Sequence, residues 1–327
     1  MALFSEFRSV FSHLSFRLLA SAGLLLFCIR AGAQSSSLTG TVVDAATGQA
    51  IPFAAVEIPT RHVGVQATEQ GTFVLERPAA LAPADSLHVT SLGYRARVLA
   101  VPIASPCRLA LAAAPVALPE AVVRPPGPPT VLGPGADGDK FGFREGKLQA
   151  VGSQGWQVAR RFDGVSGGLV QAVRFYVTPN GQCGKASVKT PFRVRLYAAD
   201  GPAGAPGTDL LTASVLTAAQ GKGWHEVDLL RYQIPAPAAG FYVAMEWLYT
   251  SEAFGCTYTA FNPATKAKET NYAYGQSLGG YFDAAPPVSW YLKSGFSWQL
   301  FAHRTIPGIP DNGQNRNAAI QAVIQGN

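Results

Sequence analysis

The chain has 327 residues, of which 48% are hydrophobic and only 14% are charged, and its formal net charge is +6. This length and apolar content suffice for two ordinary domains, each with a core of its own. The positive charge is small and dispersed, and the sequence has no basic run of the kind that nucleic-acid-binding proteins present to phosphates. These features argue against nucleic-acid binding.

Residues 1–33 have the pattern of a secretory signal peptide. Arg8 and Arg17 give a basic beginning, an apolar run covers residues 18–29, and Ala31-Gly32-Ala33 is a small-residue cleavage site. An uncleaved membrane anchor is the alternative, but the run is shorter than the roughly 18 apolar residues that a spanning helix needs. We therefore expect cleavage after Ala33 and export to the periplasm, the outer membrane surface or the extracellular space, with no transmembrane segment in the mature chain.

Short β-branched runs separated by turn residues extend from Leu38 to Val101. The turns lie around Gly48, at Glu69-Gln70-Gly71 and at Gly93-Tyr94, and this spacing is typical of a small all-β sandwich. The seven predicted strands cover residues 38–43, 54–58, 64–68, 72–75, 86–91, 95–101 and 108–112.

The spacing and sequence of these turns resemble those of the carboxypeptidase D regulatory-like domain. That domain is a transthyretin-like sandwich of seven strands and is common in exported proteins of Bacteroidetes-type bacteria. Family members carry equivalents of Gly40, the Asp44-to-Gly48 turn, Pro52, Ala55, the Thr68, Gly71 and Phe73 set, and Gly93-Tyr94. The resemblance implies that residues 34–112 form a non-catalytic accessory module.

Residues 113–139 are rich in Pro, Gly and Ala, with Pro125-Pro126-Gly127-Pro128-Pro129 at the centre. Proline fixes φ and removes a hydrogen-bond donor, so this segment is expected to be an extended, semi-rigid spacer without a core. It separates the two predicted domains.

Residues 140–306 are predicted to form a second, antiparallel sandwich. Apolar residues occur at every second position in 173–177, 192–197 and 241–247, so each strand has a core face and an opposite face. The order of its strand and turn motifs resembles that in the jelly-roll modules of secreted bacterial proteins. The predicted fold class is all-β, a transthyretin-like sandwich followed by a jelly-roll-like sandwich. The polar tail, residues 307–327, is expected to be disordered or a short helix.

Three cysteines remain after residue 33, and export would allow disulfides to persist. Cys183 and Cys256 lie in loop-like, glycine-containing stretches of the second domain, so we predict that they pair. A loop of that length would stabilise the fold by about 4 kcal/mol. Cys107 has no His or Asp near it in sequence and is expected to be a buried apolar residue rather than a nucleophile.

The segment Trp224-His225-Glu226-Val227-Asp228 contains the side chains that a hydrolase or a zinc site uses. On a strand, however, His225 faces one side while Glu226 and Asp228 face the other, so the three groups cannot converge. No His-Glu-x-x-His motif is present. We therefore predict no catalytic residue, no metal and no cofactor, and do not expect an enzyme.

Alternating positions of two predicted strands form a candidate ligand-binding face. If the strands are neighbours, guanidinium and phenol groups share one exposed surface that could hold an acidic glycan or a partner's carboxylates. The alternative is a solvated face whose arginines pair with carboxylates such as Glu246 on other strands. The five residues are Arg174, Tyr176, Arg193, Arg195 and Tyr197.

The late part of the second domain, residues 272–298, is dense in aromatic residues and glycine. Aromatic rings on loops can stack on sugar rings, although core packing and loop anchoring explain such rings equally well. Burial would favour the structural interpretation, whereas two or three coplanar rings on one surface would favour sugar binding. The candidate sugar-binding residues are Tyr272, Tyr274, Trp290 and Tyr291.

These patterns together predict a non-catalytic exported envelope protein, a structural or interaction module whose partner is another envelope protein or a glycan. The alternative is a carbohydrate-binding protein that uses the aromatic residues of the second sandwich.

Overall fold

Strands provide nearly all the regular structure. The computed structural model describes residues 37–78, 80–114, 127–135, 138–144, 155–163, 168–302 and 313–326, and within them it contains 22 strands and five short 3₁₀ helices. The helices span Pro59–Arg61, Lys185–Lys189, Pro202–Gly204, Leu230–Tyr232 and Glu252–Phe254. The predicted all-β fold class is confirmed. None of the helices in these ranges is long and apolar enough to cross a membrane, and the predicted signal peptide lies outside them.

Seven strands form the N-terminal sandwich. They are β1 (Ser37–Asp44), β2 (Ala55–Ile58), β3 (Val63–Gln66), β4 (Thr72–Glu76), β5 (Ser86–Thr90), β6 (Arg97–Ala100) and β7 (Cys107–Leu111). One sheet has the order β4-β1-β7 and the other the order β3-β2-β5-β6. Strands β1 and β7 are parallel, and the other pairs are antiparallel. The predicted sandwich of seven strands is confirmed, with each boundary within two residues of its prediction.

Steric constraints explain why glycine occupies two positions of the N-terminal sandwich. A Cβ at Gly40 would lie 2.3 Å from the carbonyl oxygen of Cys107 and 2.8 Å from the ring of Phe73, so only hydrogen fits where β1 meets β4 and β7. Gly71 has a φ of 71° at the turn into β4, a conformation that glycine adopts without cost.

A second, larger sandwich follows. Its strands are β8 (Thr130–Leu132), β9 (Phe141–Phe143), β10 (Trp156–Phe162), β11 (Leu169–Thr178), β12 (Phe192–Ala198), β13 (Val215–Thr217), β14 (Gly223–Asp228), β15 (Phe241–Trp247), β16 (Gly255–Asn262), β17 (Ala267–Tyr274), β18 (Ser277–Asp283), β19 (Ser289–Lys293), β20 (Gln299–Leu300), β21 (Asn315–Ala318) and β22 (Ile320–Gln325). A six-stranded sheet has the order β13-β12-β15-β10-β19-β20. The facing seven-stranded sheet has the order β21-β18-β11-β22-β8, with β14 beside β11 and β9 beside β18. Strands β16 and β17 form a hairpin of their own.

The core of this sandwich lies between the apolar faces of β11 and β12. Phe175 on β11 and Phe192 on β12 are fully buried, and their ring centroids are 5.3 Å apart. The predicted alternation is correct in both strands. The two strands, however, belong to opposite sheets and are not neighbours, because alternation defines the two faces of a strand but not which strand lies beside it.

Residues predicted to lie outside the second sandwich complete its seven-stranded sheet. The prediction of a disordered or helical tail was wrong for residues 315–325, which form β21 and β22. These residues join the sheet because their apolar side chains are buried in the core. The buried residues are Ala318, Ala319, Ile320, Ala322, Val323 and Ile324. The end of the expected spacer also joins the sheet. Its Val131, on β8, pairs with Val323 on β22. The sandwich therefore extends beyond residues 140–306 on both sides.

The predicted disulfide is confirmed. Cys183, in the connection between β11 and β12, is bonded to Cys256 at the start of β16, 73 residues later. The bond ties the hairpin of β16 and β17 to the body of the sandwich. Cys107 lies half-buried on β7, against the core of the N-terminal sandwich, in partial agreement with its predicted burial.

The two sandwiches pack sheet against sheet. The described residues from Ser37 onward, apart from Arg77 and Pro78, belong to one compact unit. The four-stranded sheet faces the six-stranded sheet, and their backbones come so close that a Cβ at Gly64 would lie 2.6 Å from the amide nitrogen of Gly295. Strand β15 is therefore buried on both faces along its whole length.

Replacing Cys183 and Cys256 together by serine is expected to lower the free energy of unfolding by about 4 kcal/mol, because the crosslink no longer restricts the unfolded chain. Urea denaturation measures this loss. A reducing agent should produce a loss of similar size in the parent chain and no further loss in the double variant. An unchanged midpoint on reduction would contradict the prediction.

Replacing Ile320 by alanine is expected to lower the free energy of unfolding by about 2 to 5 kcal/mol, because the side chain is fully buried in the core. Chemical denaturation followed by circular dichroism measures the change. The matched control is Gln325→Ala at the half-buried end of the same strand, expected to change stability by about 0.5 kcal/mol or less. Equal effects of the two substitutions would argue against a core position for β22.

Candidate functional site

The predicted binding face does not exist as one surface. Arg174 and Tyr176 lie on β11, in the seven-stranded sheet, whereas Arg193, Arg195 and Tyr197 lie on β12, in the six-stranded sheet. Since the apolar faces of these sheets meet in the core, their polar faces point away from each other. The prediction of a shared surface for the five residues was wrong.

The β11 half of that face is a cross-strand pair at the surface. Nε of Arg174 donates to Oε2 of Glu226 at 2.6 Å, and the two residues are direct partners in the β11–β14 register. Tyr176 is only 4% exposed and meets the ring of Trp224 edge to face. The alternative interpretation, arginines paired with carboxylates across strands, is correct here.

The β12 half is buried, because the four-stranded sheet of the N-terminal sandwich covers it. Arg193 forms a bidentate pair with Glu246, its cross-strand partner, at 2.8 and 3.0 Å. The side chains of this pair are 3% and 5% exposed. The pairing with Glu246 was predicted, but the face is not solvated.

Two groups of the N-terminal sandwich complete this pair. Nε2 of Gln66 donates to Oε1 of Glu246 at 3.0 Å, and Nη2 of Arg193 donates to the carbonyl oxygen of Phe53 at 3.2 Å. Both hydrogen bonds cross from one sandwich to the other. The network therefore specifies how the two sandwiches fit together.

Arg195 extends the network toward solvent. Its Nη1 donates to Oε2 of Glu246 at 3.2 Å, and its Nη2 donates to Oδ1 of Asp209 at 2.7 Å. Its guanidinium carbon lies 5.0 Å from the ring centroid of Tyr197, within the range of a cation–π contact. The hydroxyl of Tyr197 donates to Oε1 of Gln157 at 2.6 Å.

Charge compensation determines the ionisation of Glu246. Burial by itself would raise the pKa of this carboxyl, but the guanidiniums of Arg193 and Arg195 outweigh burial and hold the pKa below its usual range. Desolvation of the charges offsets much of their attraction. The network as a whole therefore adds little net stability, whereas removing one member is costly because it leaves buried charge uncompensated.

An inter-sandwich cleft opens beside this network. It has a volume of about 300 Å³ and is lined by both sandwiches, among others by Glu57, Tyr94, Gln157, Asp209, Ser294 and Trp298. Hydroxyl, amide and carboxyl groups share the wall with aromatic rings. Such a mixture of polar groups and flat apolar faces is what small-molecule sites use to orient a ligand.

Glu57 is a further carboxylate of the cleft wall. Burial raises the pKa of this carboxyl above its usual value, and hydrogen bonds from the Gly295 N–H and the Ser294 side chain offset the increase only in part. Among the residues that the structure describes, no salt bridge involves Glu57.

The four aromatic candidates do not form one platform. Tyr274 is fully buried, and its hydroxyl accepts hydrogen bonds from the N–H groups of Thr250 and Ser251. Tyr272 is half-buried beside it, and burial raises its pKa to about 12. These two rings anchor the base of the β16–β17 hairpin.

Trp290 and Tyr291 are adjacent on β19 and therefore face opposite sides of the sheet. Trp290 packs nearly perpendicular to Tyr242 on the outer face, at an interplanar angle of 87°. Tyr291 is tilted by 38° against Trp156 on the core side. Contacts of this kind are expected for packing, and the two rings do not offer a coplanar surface.

Sequence reasoning missed Glu57, Gln66 and Gln157 as members of a site. In β2, Val56 and Ile58 are fully buried in the core and Glu57 faces outward, so the alternation of the strand contained the signal that Glu57 is polar and faces away from the core. The sequence offered no signal that a second sandwich covers this face.

Comparisons with known proteins add little to this geometry. No family model matches the chain, and no curated protein matches it. Among solved structures, it is similar to the cysteine protease and lectin-like domains of Cwp84, a surface layer associated protein of Clostridium difficile. The identity is 14% and the TM-score 0.30, with 54% of this chain and 33% of that chain covered.

A second solved structure, the clostridial cysteine protease Cwp84 after propeptide cleavage, matches at 16% identity with a TM-score of 0.32, covering 54% of this chain and 37% of that chain. The chain thus spans well under half the length of either structure. TM-scores this low carry no argument about fold or function.

Replacing Glu246 by glutamine is expected to lower the free energy of unfolding by about 3 to 5 kcal/mol, because two guanidiniums lose their shared counter-charge inside the interface. Chemical denaturation at neutral pH measures the change. The matched control is Glu226→Gln, which removes a carboxylate from a surface pair and should cost about 1 kcal/mol or less. Similar losses in both variants would contradict the buried network.

The contribution of Glu246 is expected to depend on pH. Because its pKa in the folded chain lies below the ordinary value of 4.5, the stabilisation is present above that value and is lost as the pH falls through the folded pKa. The difference in unfolding free energy between the parent and Glu246→Gln should therefore shrink in acid. A difference that grows as the pH falls would contradict the sign.

Proposed function

We propose that this chain is an exported, non-catalytic envelope protein that acts as an interaction module, and that its N-terminal sandwich is a carboxypeptidase-regulatory-like domain. The observation that carries the proposal is the buried ionic network of Arg193, Arg195 and Glu246. It joins one face of the second sandwich to the first, so that the two sandwiches form one compact unit that presents its remaining surfaces to a partner.

The disulfide supports export. The bond between Cys183 and Cys256 is of a kind that persists in oxidising compartments and is rare in the cytosol. It agrees with the signal-peptide pattern of residues 1–33.

The residues that carry the family resemblance have defined structural roles, which supports the assignment of the N-terminal sandwich. The carboxylate of Asp44 accepts hydrogen bonds from the N–H groups of Ala46 and Thr47, both at 2.8 Å, and so closes its turn. The backbone N–H groups of Thr47 and Ala46 lower the pKa of this carboxyl, and the side chain of Tyr94, the last residue of the motif, acts in the same direction. Gly40 and Gly71 occupy positions where a larger side chain does not fit or is strained.

The separation of His225 from its acidic neighbours supports a non-catalytic role. Nε2 of His225 is hydrogen-bonded to Oγ1 of Thr217 at 2.7 Å. Glu226 points to the other face of β14, where it pairs with Arg174. The acid and base groups of this segment therefore do not reach a common atom.

The hairpin arm, residues 255–274, is the surface that best fits a partner. Among the strands that the structure describes, β16 and β17 pair only with each other. A two-stranded sheet alone is marginally stable in water. The disulfide at Cys256 and the buried ring of Tyr274 fix the base of the arm. Farther along β16, Thr259 and Phe261 lie exposed on one face, and the side chain of Phe261 is 62% exposed.

A photo-crosslinking residue placed at Thr259 in the exported chain is expected to form an adduct with another envelope protein. Adding Phe261→Ser should remove most of that adduct, because losing an aromatic anchor costs an interface about 2 kcal/mol or more. Immunoblotting and mass spectrometry of envelope fractions measure the adduct. The matched control places the crosslinker at Leu216, an exposed residue on the edge strand β13.

Equal adducts from both positions, insensitive to Phe261→Ser, would refute the hairpin arm as the contact surface. Recovery of the chain in the cytoplasmic fraction would refute export. Binding to sugars on a glycan array that disappears with Trp290→Ala and Tyr291→Ala would favour a carbohydrate-binding protein instead.

A further inference from the structure

The inter-sandwich cleft has an excess of negative charge. Its wall contains the carboxylates of Glu57, Asp209 and Glu246 and the guanidiniums of Arg193 and Arg195. Arg193 donates to Glu246, and Arg195 donates to both Glu246 and Asp209. The carboxylate of Glu57 forms no salt bridge with any residue that the structure describes.

The alternation of side chains along β2 determines the direction of the Glu57 side chain. Its neighbours Val56 and Ile58 are fully buried in the N-terminal core, so Glu57 faces the second sandwich across the cleft. Ser294, beside it in the cleft wall, is neutral, and the backbone of Gly295 approaches the neighbouring strand β3. Neither group compensates the charge of the carboxylate.

A half-buried carboxylate without a cation is energetically unfavourable, because burial penalises the ionised form. The aromatic rings of Tyr94 and Trp298 also line the cleft, and such rings attract cations over their faces. The volume of about 300 Å³ is at the lower end of the range for small-molecule sites, roughly 300 to 1,000 Å³. The space thus fits a group the size of one amino-acid side chain.

We propose that the inter-sandwich cleft binds an ammonium or guanidinium group, with Glu57 as its counter-charge and the aromatic rings of Tyr94 and Trp298 as its walls. An anion does not fit, because both guanidiniums are already engaged by carboxylates. The cation can belong to a free amine or amino acid or to a Lys or Arg side chain of a polypeptide. This site is independent of the proposed contact at the hairpin arm.

Isothermal titration calorimetry of the purified full chain tests the proposal with L-arginine and L-lysine as probes. Their neutral isosteres are the N-acetyl amides of L-citrulline and L-norleucine, in which the α-amino group is blocked so that no cation remains. These isosteres should bind about tenfold more weakly or worse, since one charge-assisted hydrogen bond is worth about that factor. Capped tripeptides with Lys or Arg in the centre distinguish the two sources. Tighter binding of the peptides indicates a polypeptide ligand, whereas tighter binding of the free amino acids indicates a small molecule.

Glu57→Gln is the decisive variant, because glutamine keeps the size and shape of the side chain while removing the charge. It should weaken binding of L-arginine about tenfold or more. Glu226→Gln, which removes a carboxylate outside the cleft, should leave the affinity unchanged. Circular dichroism and urea denaturation verify that both variants are folded.

A second variant keeps the test valid if Glu57→Gln fails to fold. Ala55 lies on the same face of β2 and also lines the cleft, so Ala55→Lys would supply a tethered ammonium that occupies the site and abolishes binding of added L-arginine. The proposal is overturned if no probe gives saturable binding at millimolar concentration. It is also overturned if the isosteres or methyl glucoside bind as tightly as L-arginine, or if the folded Glu57→Gln and Ala55→Lys variants both retain parent affinity.

Discussion

One carboxylate, that of Glu246, governs the arrangement of the molecule. Buried beneath Arg193 and Arg195, it cannot be left alone or exchanged for a neutral group without stranding charge in the interface. Gln66 and the carbonyl of Phe53 supply the remaining hydrogen bonds from the opposite sandwich. Hydrogen bonds of buried charged groups thus join the two sheets where they meet, and the cleft lies beside these bonds.

Burial of the polar face of β12 also limits which surfaces other molecules can reach. Much of the polar face of β12 is engaged in holding the two sandwiches together, and the two proposed contact surfaces lie at the hairpin arm and in the cleft beside that face. The hairpin arm is fixed covalently at its base, and the cleft has walls from both sandwiches.

Local periodicity accounts for what the sequence could predict. Alternation located the strands of the N-terminal sandwich and the core faces of β11 and β12, and turn residues separated them. Alternation could not show that Arg174 and Arg193 lie on opposite sheets, because both residues occur in the same apolar-polar pattern. Glu57 and Trp298 meet in the cleft from distant parts of the chain, and no local signal connects them. The apolar residues 318–324 were a readable signal, outweighed by the polar stretch before them.

The placement of β22 has a consequence for biogenesis. It lies between β11 and β8, and its Gln321 bonds to Arg174 across a separation of 147 residues. Because synthesis proceeds from the N-terminus, β11 is made long before β22, and pairing over such a distance is slow. The sheet around β11 therefore remains incomplete until β22 has been synthesised.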